Sequence, residues 1–448
     1  RSVLGEVRKL ALPDYVHQYF VDGPTTEVDV FDSKQTQWRN LLVASSGAGA
    51  KNLFALQVPV AVSANNGAPP SGTPLMAPQA GDILWEVNNQ MADYTELGFV
   101  LSKPETGVLR DGTWAVISGN GYESSSGKAQ LLVIDAMTGA LLKRIDTGVG
   151  AGNGLGGVRV VRDRQRQIVA AYAGDLKGNV WKFDFSSNNP AKWGLAFGGK
   201  PLFEARNRQG QTEPITTAPG YRAHPLGGVT VLVGSGKLFE SADASNTEER
   251  SLYGLWDSVA VGSNSSNASA AIASRTQLVE QTLSATTLVQ ADSSQPAQRF
   301  FSSSAKVVDY ASARGWVMPL SLAAGQRLVY EPQLSLGSVY FKTVVPGAAA
   351  QDCTASNGGA ISLLFDPFTG APHPKTTSLD TNGDGKINAD DLPHFIGFNS
   401  AADGPDMFKP RRSSSAADAL VVSASGARVA SGPKAQARRS WRQIVTPP

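Results

Sequence analysis

The sequence predicts an all-β protein that folds as a β-propeller. Five pairs of short apolar runs recur along its 448 residues, and a turn rich in glycine separates the two runs of each pair. The chain contains 46 glycines and 26 prolines, which exceeds average usage and favours many turns over long helices. Because the apolar runs are nearly continuous, we expect strands that are buried on both faces of their sheets.

Each run has four to eight residues rich in Val, Leu, Ile and aromatic side chains, which is typical of β-strands. The paired runs begin at Leu41 and Leu53, Trp114 and Leu131, Ile168 and Val180, Val229 and Leu252, and Val339 and Ile361. A single hairpin cannot cover both of its faces, so the pairs must pack on one another. Radial packing gives a modified, quinoprotein-like propeller of about seven blades, and an ordinary β-sandwich is the alternative.

Two stretches interrupt this pattern and set the predicted domain boundaries. Residues 1–408 form the propeller, with an inserted loop region at about 258–298 that lacks aromatic residues and is partly helical around 278–283. Residues 409–448 form a basic, Ala/Ser-rich tail with eight Lys or Arg residues and a single acid. We expect this tail to be a flexible lead to a closing segment at 439–444.

Composition and charge exclude several classes of function. Charged residues make up 17% and hydrophobic residues 41% of the chain, which predicts a folded core rather than general disorder. No apolar run is long enough for a transmembrane helix, and the mildly acidic body argues against nucleic-acid binding. The start at Arg1 is not a signal peptide, so the chain is a segment of a longer exported protein or is cytosolic. Cys353 is the single cysteine, so no internal disulfide can form, and pairing outside the segment stays open.

One acidic run carries specific chemistry, because residues 380–391 match the D-x-[DN]-x-[DN]-G loop that wraps Ca²⁺. Ca²⁺ takes six to eight oxygen ligands, and alternate side chains of such a loop converge on one point. Gly385 permits the sharp turn at the sixth position. The predicted ligands are Asp380, Asn382, Asp384, the backbone carbonyl of Lys386, Asn388 directly or through water, and Asp391.

The closing position of this loop is its least regular feature. Asp391 is one methylene shorter than the usual Glu, and Asp390 could take its place. Pro393 argues against a long exiting helix, and no second loop of this kind exists in the sequence. These features favour a single structural calcium site over a paired sensor or a dockerin-type module. The alternative is a surface loop of Asx-turns that holds no ion.

Catalytic motifs do not occur in the sequence. The four histidines are scattered, and neither a nucleophile elbow nor a phosphate-binding loop is present. The enzymatic alternative is a quinoprotein-like, calcium-dependent dehydrogenase, since those propellers share strands that end in Asp and Thr-Gly. Such an enzyme needs a cofactor cradle, which frequently includes adjacent cysteines that this chain cannot supply. We therefore expect a protein without enzymatic activity.

A set of further motifs follows in order along nearly the whole chain. They are Tyr19-Phe-Val-Asp-Gly, Gly119-Asn-Gly-Tyr, Tyr172-Ala-Gly-Asp-Leu-Lys-Gly-Asn-Val-Trp-Lys-Phe-Asp, Pro214-Ile-Thr-Thr-Ala-Pro, Gly234-Ser-Gly-Lys, Leu252-Tyr-Gly-Leu-Trp-Asp, Val339-Tyr-Phe-Lys-Thr and Ser440-Trp-Arg. Together they resemble the C-terminal β-propeller of the PilY/PilC family of type IV pilus tip-associated adhesins.

This resemblance implies a non-enzymatic, calcium-binding factor of fimbrial biogenesis that is exported to the cell surface, the outer membrane or the pilus tip. It implies support of pilus extension against retraction, cell adhesion and twitching motility. The implied partners are minor pilins of the tip, an N-terminal adhesive domain of the same longer chain, and a host or surface receptor.

The chain departs from the family pattern at one position. Many family members carry an Asp-rich calcium loop just before the Tyr-Ala-Gly-Asp motif. Here the corresponding stretch, 162–169, contains one carboxylate and three arginines. A cation there would face net positive charge, so we expect that site to be lost and only the loop at 380–391 to be retained.

Overall fold

Short β-strands make up nearly all of the regular structure that is described. The computed structural model describes residues 2–58, 79–288, 298–335, 337–347, 359–373, 379–382, 387–392, 394–401, 407–410, 418–423 and 426–431. The first thirteen strands are β1 Thr25–Asp32, β2 Gln37–Ser45, β3 Asn52–Gln57, β4 Ile83–Asn88, β5 Glu105–Val108, β6 Trp114–Gly119, β7 Gln130–Asp135, β8 Leu141–Asp146, β9 Leu155–Arg162, β10 Ile168–Asp175, β11 Asn179–Asp184, β12 Gly194–Leu195 and β13 Phe203–Glu204.

The second part of the chain continues in the same way. Its strands are β14 Gly220–Ala223, β15 Val229–Gly234, β16 Ser251–Asp257, β17 Val279–Glu280, β18 Leu283–Leu288, β19 Gln298–Ser303, β20 Gly315–Pro319, β21 Arg327–Leu328, β22 Gln333–Ser335, β23 Ser338–Val345, β24 Gly359–Phe365, β25 Phe395–Ala401, β26 Met407–Pro410, β27 Asp418–Ser423 and β28 Gly426–Ser431. Helical structure within the described ranges is limited to α1 Leu4–Val7 and the short 3₁₀ turns Arg8–Ala11, Ala80–Asp82, Ala92–Tyr94, Pro190–Lys192, Phe197–Gly199, Ser241–Ser245, Ala268–Ala270 and Arg275–Gln277.

The sheets follow one another along the chain as the blades of a propeller do. β1–β4, β5–β8 and β9–β12 form three antiparallel sheets in sequence order, and β14, β15, β16 and β20 form a fourth, with the short β17 at its edge. β5 lies beside both β1 and β9, so the first strands of successive sheets line a common axis. The described residues form six sheets, and the count of about seven blades stays a prediction.

The hydrophobic core lies between consecutive sheets rather than inside any one of them. Trp85 of the first sheet packs with Ile134 of the second, and Ile117 of the second packs with Phe183 of the third. The interfaces between the third and fourth sheets and between the fourth and the next are built in the same way. Radial packing of sheets is therefore what buries both faces of each strand, as the apolar runs predict.

The five predicted strand pairs are all confirmed. β2 pairs with β3, β6 with β7, β10 with β11, β15 with β16, and β23 with β24, and every pair is antiparallel.

Tryptophans tie neighbouring sheets together at the turns that end in Thr-Gly. The Trp85 Nε1–H donates to the Ala136 carbonyl over 2.9 Å, and Gly139 in the same turn adopts φ of +71°. A Cβ at Gly139 would lie 2.8 Å from the Trp85 ring, so only glycine fits beneath it. Trp316 makes the equivalent contact, donating from Nε1 to the Pro367 carbonyl over 3.0 Å.

The segment at 258–298 differs from the predicted inserted loop region. The helix expected around 278–283 is wrong, because these residues enter β17, which pairs with β20, and β18, which pairs with β19. Long-range strand pairing outweighs the local helical pattern here. Ile272 and Leu278 of the segment are buried against the third and fourth sheets, so it also contributes to the core.

The hairpin β18–β19 is exchanged between two sheets. Its flanking strands β17 and β20 belong to the fourth sheet, whereas β19 pairs with β25 of the next sheet, whose order is β18-β19-β25-β24-β23-β21. β22 also pairs with β23. The exchange interlocks the two sheets.

The described parts of the basic tail are β-strands. β26, β27 and β28 form an antiparallel three-stranded sheet, so the expectation of a flexible lead is wrong for residues 418–423 and 426–431. β27 contains the short apolar run Leu420-Val421-Val422, which the compositional assignment of the tail did not consider. The closing segment at 439–444 and Cys353 lie outside the described residues. No helix among the described residues is long and apolar enough to cross a membrane.

Candidate functional site

The predicted calcium loop lies in the connection between β24 and β25. Leu379, immediately before the loop, is 1% exposed and packs with Tyr340, Leu364 and Phe398. This apolar contact fixes the start of the loop against the sheet. The loop's far end leads directly into β25, which lies between β24 and β19.

The structure places four of the six predicted ligands. Asp380 and Asp391 are 5% and 4% exposed, and Asn382 and Asn388 are half-buried. Asp384 and Lys386 lie outside the described residues. Within the described ranges no three or more His, Cys, Asp or Glu side chains gather closely enough to hold a metal ion, so the described residues do not complete a site by themselves.

Asp391 joins the two ends of the loop. Its Oδ1 accepts the backbone N–H of Thr381 over 2.7 Å, and its Oδ2 accepts the backbone N–H of Asn388 over 2.9 Å. The Thr381 hydroxyl in turn accepts the backbone N–H of Leu392 over 2.8 Å. Asp391 therefore closes the loop through hydrogen bonds, whereas Asp390 is exposed, and the role of Asp391 as a calcium ligand stays a prediction.

The donor set of this loop fits calcium in chemical type. All side-chain groups at the predicted positions are carboxylate or amide oxygens, which are the ligands that Ca²⁺ prefers. Burial of the Asp380 and Asp391 carboxylates within one loop is costly unless hydrogen bonds and positive charge compensate them. The sequence from 380 to 391 supplies four aspartates and a single lysine.

The turn between β9 and β10 is basic, whereas the loop at 380–391 is acidic. Asp163 Oδ1 accepts the backbone N–H groups of Gln165 and Gln167, each over 3.0 Å. Its Oδ2 lies 3.4 Å from the Arg110 Nη2, and the Arg110 Nη1 donates to the Ser186 carbonyl over 2.7 Å. An arginine and backbone amides thus satisfy the one carboxylate of this turn.

The sequence analysis did not predict two buried polar clusters. Asp175, which is fully buried, accepts bonds from Asn153, Asn179 and the Trp181 Nε1. The signal was the spacing of Asp, Asn and Trp within the stretch 175–181, which places the three groups at one end of a tight hairpin.

The second cluster is a buried ion pair between the third and fourth sheets. Lys182 Nζ lies 2.7 Å from Asp257 Oδ2, which also accepts the hydroxyl of Tyr172. All three side chains are at most about 5% exposed. Burial raises the pKa of Tyr172, and the Asp257 charge raises it further, so the hydroxyl stays a donor.

A third buried acid, Glu213, lies between the same two sheets. It accepts the Ser235 hydroxyl over 2.9 Å and also the hydroxyl of Tyr253. Burial is the main cause that raises the pKa of Glu213 above its ordinary value, against the opposing effect of these hydrogen bonds. The Lys182–Asp257 pair joins the third and fourth sheets, whereas the bonds to Asp175 lie within the third sheet.

Comparison with known proteins decides the family. The family model described as the PilY1 beta-propeller domain matches residues 1–294, which is more than half of the chain. The chain belongs to the PilY1 β-propeller family.

Curated relatives agree with this assignment. The chain is 30% identical over 424 residues to a type IV pilus biogenesis factor PilY1 homolog of Xylella fastidiosa, covering 87% of this chain and 27% of the relative. It is also 30% identical over 491 residues to type IV pilus biogenesis factor PilY1 of Pseudomonas aeruginosa, covering 99% of this chain and 39% of that protein. The chain therefore spans well under half the length of the relatives it matches.

A solved structure supports the same fold. The crystal structure of the Pseudomonas aeruginosa PilY1 C-terminal domain matches with a TM-score of 0.75 and 27% sequence identity, and the match covers 95% of this chain and 87% of that one. The resemblance to the PilY/PilC propeller inferred from the sequence motifs is thereby confirmed.

Proposed function

We propose that this PilY1-family propeller is a calcium-binding, non-enzymatic module of a type IV pilus biogenesis factor. The observation that carries the pilus role is the family membership, together with curated relatives named as type IV pilus biogenesis factors. The observation that carries calcium binding is the loop at 380–391, whose buried acids Asp380 and Asp391 lie in an oxygen-only donor set.

In this proposal Ca²⁺ is held by Asp380, Asn382, Asp384, the Lys386 carbonyl, Asn388 and Asp391. When bound, it supplies positive charge beside the buried acids of the loop. The chain's own contribution is to hold the loop closed, because Asp391 bonds to both Thr381 and Asn388 and Leu379 anchors the start. A closed loop fixes the beginning of β25 and, through β25, the exchanged hairpin.

The cellular role that we propose follows the family. The propeller is exported to the cell surface, outer membrane or pilus tip, supports pilus extension against retraction, and contributes to adhesion and twitching motility. Its partners are minor pilins of the tip, an N-terminal adhesive domain of the same longer polypeptide, and a host or surface receptor.

The N-terminal segment 2–21 supports an interdomain contact. None of its residues is buried, yet it carries large apolar side chains of which Leu4, Val16 and Tyr19 are 67%, 77% and 58% exposed. Exposed apolar surface of this kind is typical of contacts with another domain. No observation favours the dehydrogenase alternative, and dye-linked alcohol oxidation by the purified chain would be the result in its favour.

The experiment that tests this function is complementation of a strain from which the gene is deleted. We expect the unmodified gene to restore surface pili and twitching, and Asp380→Ala to reduce both when calcium is present. Asp163→Asn, which alters the arginine-held turn, is the matched control and should restore both. Full restoration by Asp380→Ala would contradict the calcium role, and failure of the unmodified gene would contradict the pilus role.

A further inference from the structure

The strands of the propeller present a set of turns at one end of their sheets. β1, β5, β9 and β14 all run toward this end, and each continues through a turn into the antiparallel strand beside it. Neighbouring sheets touch there, because Arg110 in the turn after β5 contacts Asp163 in the turn after β9, and the Asp184 Oδ2 accepts the backbone N–H of Ser265 over 2.7 Å. We call this end the turn face, and it comprises the turns at 33–36, 109–113, 163–167 and 224–228 and the loops at 258–265 and 304–313.

The carboxylates on and beside the turn face are engaged within the protein. Five of them each accept, through a side-chain oxygen, the backbone N–H two residues further along the chain, namely Asp32, Asp111, Asp163, Asp257 and Asp309. This bond is the Asx-turn, which holds the carboxylate against its own turn. Asp32, Asp163 and Asp257 also form ion pairs with cations of the chain. The negative charge of the turn face is therefore largely compensated from within.

Four cations of the turn face lack such partners. The residues Lys34, Arg164, Arg166 and Lys306 are exposed, and their side chains form neither a hydrogen bond nor an ion pair with any described residue. The turn that carries two of them is well fixed, since the Asp163 N–H donates to the Gln167 carbonyl over 2.9 Å and the Arg166 N–H donates to the Asp163 carbonyl over 3.1 Å. The turn face thus presents uncompensated positive charge on a body that is mildly acidic.

Large apolar side chains project from the same face. Leu226, Val261 and Val307 are 66%, 44% and 84% exposed, and Trp38, beside the turn at 33–36, is 46% exposed. They come from the turns and loops of different sheets and do not line one groove, so they suit a broad fluid surface better than a shaped protein partner. Exposed cations combined with exposed apolar groups are typical of proteins that lie on an anionic bilayer, where the apolar groups enter the headgroup region and the cations meet lipid phosphates.

We propose that the turn face is a peripheral docking surface for anionic lipid headgroups, on which the propeller lies without crossing the bilayer. Lys34, Arg164, Arg166 and Lys306 bind the lipid phosphates, and the exposed apolar side chains enter the interface. The opposite ends of the sheets then face away from the bilayer and stay available to the pilus. This inference rests on the cell-surface location in the proposed function and does not depend on the calcium loop.

Co-sedimentation of the full chain with lipid vesicles tests the proposal at one fixed calcium concentration. We expect binding to vesicles that contain phosphatidylglycerol, weakened by high salt, and little binding to pure phosphatidylcholine. Arg164→Gln/Arg166→Asn should weaken binding about 30-fold, because each cation near an anionic surface strengthens binding about fivefold. Asn is chosen because Arg166 has φ of +68°, which Asn tolerates. Leu226→Ser/Val307→Ser should also weaken binding but leave its salt dependence unchanged, since only apolar contact is removed.

The matched control removes two cations from the opposite ends of the sheets. Lys103→Gln/Lys177→Gln changes the net charge by the same amount and should bind like the unmodified chain, and unchanged thermal melting establishes that every variant folds. Absence of binding to the anionic vesicles, an equal loss in the control, or undiminished binding of the arginine variant would each overturn the proposal. Retention on immobilised polyglutamate without vesicle binding would also overturn it, in favour of an acidic protein partner. Pili take no part in this assay, so its failure is distinguishable from failure of the complementation experiment.

Discussion

The two turns with opposite charge differ in the groups that surround their carboxylates. The turn between β9 and β10 has three arginines around Asp163, and Arg110 from the preceding sheet contacts that carboxylate. The loop at 380–391 has four aspartates and one lysine, and two of the aspartates are buried. The first turn satisfies its carboxylate from within the chain, whereas we propose that the second binds a cation from outside.

The difference extends to the sheets that carry these turns. The third and fourth sheets are joined by the buried pair of Lys182 and Asp257, and the bonds that converge on Asp175 stabilise the third sheet internally. The connection between β24 and β25 is closed instead by one carboxylate, Asp391, that bridges loop ends. Calcium sensitivity is therefore expected to be confined to the later sheets.

The largest expected effect comes from removing Lys182, the cation that pairs with the buried Asp257 carboxylate. Lys182→Met leaves the Asp257 carboxylate buried without its cation, which costs about 3–5 kcal/mol of unfolding free energy. Urea unfolding should give the same loss in calcium and in chelator. A loss seen only in chelator would contradict the separation of the two regions.

The next largest effect tests the contact between Gly139 and Trp85 that joins the first and second sheets. Gly139→Ala strains a left-handed residue and pushes its methyl group into the Trp85 ring, which together cost roughly 2–4 kcal/mol. Gly148→Ala is the matched control, since Gly148 has φ of +76° and nothing near its Cβ position. Equal losses in the two variants, measured by thermal unfolding, would mean that the tryptophan contact adds nothing.

A pH dependence follows from Glu213. Burial raises its folded pKa, so above the unfolded value of 4.5 the folded state binds more protons than the unfolded state. Stability from this group is present below pH 4.5 and is lost as pH rises through the folded pKa. Each tenfold difference in proton affinity between the two states is worth about 1.4 kcal/mol. Glu213→Gln should flatten that decline in urea unfolding measured from pH 4 to neutral. An unchanged slope would refute this account of Glu213.

The smallest expected effect lies in the arginine-held turn. Arg110→Gln removes a partly exposed ion pair with Asp163, which is worth about 1 kcal/mol or less. The loss should be weaker at high salt and independent of calcium. If the variant acquired calcium-dependent stability, the arginine would be a substitute for a cation at this turn.

The sequence predicts the propeller well because its signal is local. The runs beginning at Leu41 or Ile168 are apolar over their whole length, and each pairs with the next run along the chain. The exchanged hairpin could not be predicted in this way, since β19 pairs with β25 almost a hundred residues later and no local pattern encodes that choice. Phe300 and Phe398 face each other in this pairing and belong to one buried cluster.

The candidate ligands also come from a local signal, the loop spacing, and calcium binding by them stays a prediction. The bonds from Thr381 and Asn388 to Asp391 rather than to Asp390 are visible only in the structure. The ion pair of Lys182 with Asp257 joins residues in different sheets. Its existence is therefore a property of the fold rather than of any motif.

Thermal unfolding of the unmodified chain in calcium and in chelator tests the central claim most directly. The account predicts a higher melting temperature in calcium, with about 2.7 kcal/mol of stabilisation at a hundredfold excess over the dissociation constant. Asp380→Asn should abolish this difference, and Asp163→Asn should preserve it. Identical melting of the unmodified chain with and without calcium would contradict the claim that the loop at 380–391 depends on an external cation.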